Sequence, residues 1–248
     1  MDAALRSLLD WYAEMGVDVP KIPAARPVRA KRSISNPATP KPEALKTETS
    51  AMAALVTTDL SKVKTLADLH AAMNGFEAGD LTDSARQAVF ARGNPDAQLM
   101  VIGEAPGREE DIQGKPFVGQ AGQLLDRMLG AIGLGEEDVY VTNVVNWRIP
   151  QNRNPKAVEI ETCRPFIERH IALAQPKVLL LVGGMSMSAL TGTTGIMKNH
   201  GLWQDVSIAE QTYPALPLYH PAFLLRRPEL KKDAWRDLLT LREKLLSL

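Results

Sequence analysis

Glu104, Asn143 and His220 lie far apart in the chain, yet together they are the side-chain types that chemistry on a flat polar ring requires. A carboxylate can steady a cation or take a proton from water. A carboxamide reads a paired donor and acceptor, and an imidazole donates to an oxygen that is gaining charge. Each of the three closes an apolar run: Leu99–Ile102 before Gly103-Glu104, Val139–Thr142 before Asn143, and Ala215–Tyr219 before His220. Such runs read as buried strands, which puts all three at strand carboxyl ends, where open α/β sheets build their sites. After the first run, Gly103-Glu104-Ala105-Pro106-Gly107 breaks the strand sharply, and Pro116-Phe117-Val118-Gly119 offers an aromatic face in a glycine-flanked loop. An acid, mobile backbone and an aromatic ring in so short a stretch suggest a pocket for a flat ring. Taken singly, each has a plainer reading: a strand–turn–helix connection, an asparagine capping a turn, a hydrogen-bonded histidine half inside the core. Their coincidence at strand ends points to a site.

The elements that must position these residues follow from the periodicity. Leu66–Met73, Gln120–Ile132, Ala157–Ala174, Ser186–Leu190 and Lys231–Leu246 read as helices, and Ala88–Phe90 as a short strand or extended segment. Leu99–Ile102, Val139–Val144, Lys177–Gly183 and Ala215–Tyr219 read as core strands. Strands separated by helices place the chain in the α/β class, as a three-layer α/β/α fold around a mostly parallel four-stranded sheet. Residues 1–18 carry an amphipathic helix over 4–16. Residues 19–60 are rich in Pro, Ala and Lys without apolar periodicity and read as a flexible linker, and 61–248 form the folded domain.

Composition excludes several classes. Formal net charge is +0 over 248 residues, so any nucleic-acid contact must come from a local patch. Cys163 is the single cysteine, which rules out a disulfide framework and any four-cysteine metal site, and the four histidines have no zinc spacing. No metal site is expected. No run reaches membrane-spanning length and the N-terminus lacks signal-peptide features, so a cytoplasmic protein without membrane contact is expected.

Three segments, GEAPGREEDIQGKPFVGQAGQLLDRML, TNVVNWRIPQNRNP and HPAFLLRRP, closely resemble the family 4 uracil-DNA glycosylases, from about Ala88 to the C-terminus. The resemblance implies an α/β/α fold and hydrolysis of the N-glycosidic bond of deoxyuridine in base excision repair. Its partner would be uracil-containing DNA, met by a monomer. Uracil must first leave the duplex. By this resemblance Phe117 stacks on the flipped ring and the backbone of Gly103, Ala105 and Gly107 approaches it closely. Asn143 accepts from N3–H and donates to O4, His220 donates toward O2, and Glu104 stabilises the sugar cation and activates water. Glu110 crowds a C5 methyl group and so rejects thymine. After His220, Leu224 is the wedge that enters the base stack, beside Leu225. Arg226 and Arg227 hold phosphates, with Arg153 extending the basic strip.

The chain departs from the family at the four cysteines that bind a [4Fe–4S] cluster in most members. Phe76, Gly79 and Trp147 occupy three of those positions and only Cys163 remains, so no cofactor is expected and packing should fill the space. A protein that flips or holds bases without cutting them is the alternative from another class. A weaker one uses GEAPG as a phosphate loop, without the lysine or the spacing such loops have.

Overall fold

The computed structural model describes residue 60 and residues 62–248. The expected helix over 4–16 and nearly all of the 19–60 linker lie outside the described residues. Six strands form one sheet: β1 (Arg92–Gly93), β2 (Leu99–Gly103), β3 (Val139–Asn143), β4 (Val178–Val182), β5 (Gln204–Ile208) and β6 (Gln211–Leu218). Their order is β1-β3-β2-β4-β6-β5. The inner four are parallel and are the four strands that the apolar runs predict. The four-stranded expectation is thus corrected at both margins, where β1 and β5 pair antiparallel with β3 and β6.

The helices are α1 (Leu66–Asn74), α2 (Asp80–Asp83), α3 (Arg108–Gln113), α4 (Gln120–Gly130), α5 (Ala157–Ala174), α6 (Gly184–Thr191), α7 (Ile196–Asn199), α8 (Pro221–Arg226) and α9 (Lys231–Leu246). Ala88–Phe90 is extended rather than a strand. Val89 donates its N–H to the Asn146 carbonyl at 2.8 Å, and Asn146 Nδ2 returns a bond to the Val89 carbonyl at 3.0 Å.

Alternation along β2 divides the core into two layers, because successive side chains point to opposite faces. Met100 and Ile102 join Phe166, Ile167 and Ile171 of α5 on one face. Leu99 and Val101 join Leu124 and Met128 of α4 and Trp235 and Leu238 of α9 on the other. The first parallel strand, β2, has β3 on one side and β4 on the other. The chain therefore passes from β2 to β3 on one side and crosses back to β4 on the other, and this reversal opens a crevice beyond the carboxyl end of β2, as in other open parallel sheets. The residue after β2 is Glu104, the last of β3 is Asn143, and His220 stands two residues beyond β6.

On the α5 face, Phe76, Trp147 and Phe166 form a three-ring cluster with centroids 4.9–5.7 Å apart. Cys163 lies one turn before Phe166 and is fully buried, its thiol pushed up to about 12 by desolvation. Nearby, Phe90 is stacked between His70 and His170, each 4.6 Å away. The buried His170 ring bonds the Tyr140 hydroxyl through Nε2 at 2.9 Å.

Candidate active site

A cavity of about 660 Å³ opens at the carboxyl rim of the sheet, within the usual size of small-molecule sites. Glu104, Asn143, Phe117 and His220 all line it, with Ala105, Gly107, Glu110, Arg153 and Arg226. Residues from strand ends spread over more than a hundred positions are thereby brought to one place.

Gly103 explains how they come so close. It pairs in register with Asn143 across β2 and β3, and a Cβ on it would collide with both Asn143 Oδ1 and the Phe117 ring. Only a bare α-carbon lets the amide and the aromatic face close over the same strand end. Phe117 adopts φ +54°, a left-handed conformation uncommon for a non-glycine residue. Gly122, in the first turn of α4, leaves room for its carbonyl. The Phe117 ring lies 5.9 Å from that of His220 with 28° between their planes.

His220 caps α8, and its Nδ1 accepts the Ala222 N–H at 3.2 Å. An accepting Nδ1 leaves the proton on Nε2, so the ring offers a donor from its other edge. Burial, with the nearby Arg226 charge, holds its pKa down to about 4. The imidazole is neutral at physiological pH and remains a donor there.

Glu104 turns to the amino end of α6. Its Oε1 accepts the Met185 N–H at 3.3 Å, and a Cβ on Gly183 would collide with the same oxygen. Burial raises its pKa, with the Met185 bond opposing the shift. The result is a carboxylate that is harder to ionise than a free one and correspondingly more basic.

Glu110 has a part beyond the one expected of it. Its carboxylate accepts three backbone N–H groups: Gly107 at 3.0 Å, Val118 at 3.0 Å and Gly119 at 2.8 Å. It ties the start of α3 to the two residues after Phe117 and so fixes the aromatic loop. Its oxygens are committed to backbone while the residue itself lines the cavity. One of these bonds takes up the N–H of Gly107, the last residue of GEAPG.

The loop after His220 is also corrected. Leu224 is 0% exposed and packs in the α4/α9 core layer, whereas Leu225 is 42% exposed. In a six-residue helix anchored by His220 and Pro221, adjacent leucines point about 100° apart, and the first faces inward. Leu224 is therefore unavailable as a wedge. Arg226 lines the cavity, while Leu225 and Arg227 do not, and Arg227 is paired with Glu229. Arg153 lines the cavity with its guanidinium held by Glu159.

Around Arg153 the sequence reading missed Ile149, Asn152, Asn154 and Pro155, in a stretch where Gln151 and Asn152 both take positive φ, as well as Ile196, Met197 and Tyr219. No periodic pattern marks them; only the RIPQNRNP run hinted at the first group.

The donor set does not fit an iron–sulfur cluster. Two of the four positions carry the Phe76 and Trp147 rings, which pack against each other, and Gly79 has no side chain. Among the described residues there is no group of His, Cys, Asp or Glu that could hold a metal ion, and no helix is long and apolar enough to cross a membrane.

Three strand ends of an α/β sheet thus bring an acid, an amide and an imidazole into one cavity beside an aromatic ring. The sequence profile of the uracil DNA glycosylase superfamily matches residues 90–239, and the chain belongs to that superfamily. It is similar to the type-4 uracil-DNA glycosylase of Saccharolobus solfataricus, 40% identical over 65% of this chain and 78% of that protein. It is also similar to the type-4 uracil-DNA glycosylases of Archaeoglobus fulgidus, at 37% over 64% and 82%, and of Sulfurisphaera tokodaii, at 39% over 63% and 74%.

Proposed function

We propose that this chain is a monofunctional uracil-DNA glycosylase, which receives a uracil flipped out of DNA and hydrolyses its N-glycosidic bond to leave an abasic site. The observation that carries this is the closure of the Asn143 amide and the Phe117 ring over Gly103, with a neutral His220 beside them. Phe117 supplies a face for the pyrimidine. Asn143 accepts from N3–H and donates to O4, a pattern that cytosine inverts at both positions. As the C1′–N1 bond breaks, its electron pair leaves on uracil, and the His220 Nε2–H donates toward O2 where that charge gathers. The Glu104 carboxylate faces the sugar cation, orients water toward C1′ and accepts its proton as the new C–O bond forms. Its raised pKa suits it to that proton. Gly103, Ala105 and Gly107 let backbone approach the base, and Arg226 and Arg153, with Arg227 and Leu225 further out, face the DNA strand.

Residues 61–248 are the catalytic unit in this reading, a cytoplasmic monomer working without an iron–sulfur cluster. Similarity to proteins named type-4 uracil-DNA glycosylases supports the activity. The test is Glu104→Gln, which keeps shape and loses charge. Single-turnover excision of uracil should fall by about 10²–10⁴ while binding to uncleavable uracil DNA changes little. A near-normal rate would refute the role of the Glu104 charge, and absence of excision by the unaltered chain would refute the function.

A further inference from the structure

Drawing a base out of a duplex leaves a hole in the stack, and proteins that distort duplexes often fill such gaps with an apolar side chain. We propose that Met197 is that side chain here, and that α7 is a DNA-reading element. The inference rests on the glycosylase function proposed above.

Three observations converge on it. The side chain named by family resemblance, Leu224, is sealed in the core, and Leu225 stands clear of the cavity. Among the large apolar residues that line the cavity, Phe117, Ile149 and Tyr219 are buried and Ile196 and Phe223 half-buried. Met197 is 54% exposed at the rim. An exposed methionine alone is unremarkable on a protein surface; its position on the rim and its support are what distinguish it.

The support is stiff for so short a helix. Asn199 Nδ2 donates to the Thr194 and Gly195 carbonyls at 3.0 and 2.9 Å and closes the turn that begins α7. Ile196 packs into the core beside Met197. Just past the last helical residue, His200 Nδ1 bonds Asp237 Oδ2 of α9 at 2.7 Å, and its ring lies 4.2 Å from Tyr219. Gly201, with φ +70°, is needed there because a Cβ would collide with Asp237. A tip held at both ends can push into a stack without being pushed back. Methionine suits the purpose, being unbranched and having a polarizable sulfur that sits well against aromatic rings. Lys198 follows it with a charge for the neighbouring phosphate.

Met197→Ala and Met197→Leu separate this role from packing, since an exposed side chain can be changed without opening the core. Single-turnover excision would be measured on a uracil·adenine duplex and on the same uracil strand alone. The alanine variant should lose about 10-fold on the duplex and much less on the single strand, and leucine should restore most of the duplex rate. A 2-aminopurine placed beside uracil should brighten on binding by the unaltered chain and the leucine variant, and less with alanine. Equal losses on both substrates, or full duplex activity with alanine, would overturn the wedge while leaving the glycosylase reading intact. A wild-type chain that excises from neither substrate would overturn both.

Discussion

Removing the Glu110 carboxylate should unfasten the aromatic loop, and the size of the effect follows from its three bonds. A hydrogen bond to a charged group contributes about 1.5–3 kcal/mol net. Glu110 is half-buried, so water replaces part of what is lost, and the low end applies: about 4 kcal/mol for Glu110→Ala. Two of the three donors are the amides directly after Phe117, whose φ of +54° costs about 1–3 kcal/mol and persists only while its surroundings hold it. Glu110→Gln is the sharper probe. Its oxygen can still accept from Val118 and Gly119, but its NH₂ then faces the Gly107 N–H, donor against donor. The loss should fall between wild type and alanine, about 1.5–3 kcal/mol. Urea unfolding gives the stabilities, and single-turnover assays on uracil and thymine duplexes give the function. We expect graded loss of stability, uracil excision falling with it, and no thymine excision. Wild-type stability in both variants together with new thymine cleavage would refute the fastening role and leave Glu110 as a methyl filter.

Asn143→Asp should abolish most uracil excision, because a carboxylate repels O4, and weak cytosine excision should emerge; unchanged uracil rates would place Asn143 outside the recognition path. His170 is held neutral by burial, its pKa lowered to about 3 from 6.5. Above pH 6.5 neither state binds the proton. Below it the unfolded chain does, so stability should fall by about 1.4 kcal/mol per pH unit from this group until pH approaches 3, with the slope reduced in His170→Gln. The acid limb of the excision rate should lie above the ordinary carboxylate range, since burial raises Glu104, and His220, neutral down to about pH 4, should add no limb near 6.5. Purified protein should be colourless and hold no stoichiometric iron, as an iron assay and a visible spectrum would establish.

The parallel core was legible because its strands are buried on both faces and so read as unbroken apolar runs. The α5 helix was legible end to end for the complementary reason: eighteen residues of helical periodicity between Pro155 and the left-handed Gln175. The margins were not. β5 alternates exposed and buried residues over Gln204–Ile208, and β1 is two residues long. Strand-end polar residues were readable one by one because a buried strand fixes where its last side chain emerges. Long-range commitments were not: Glu110 to Gly107 follows a local three-residue spacing, but its bonds to Val118 and Gly119 depend on how α3 and α4 meet. Leu224 and Leu225 show the same limit, since which of two adjacent leucines faces inward is decided by the packing of α8 on α4. Met197 had no local signal at all.

The Phe76–Trp147–Phe166 cluster sets what the cavity wall responds to. Trp147 stands two residues before Ile149, where that wall begins, so the wall is joined to the three packed rings. Their attraction is apolar burial, which weakens as water cools. The hold on this side of the site therefore follows temperature through apolar burial.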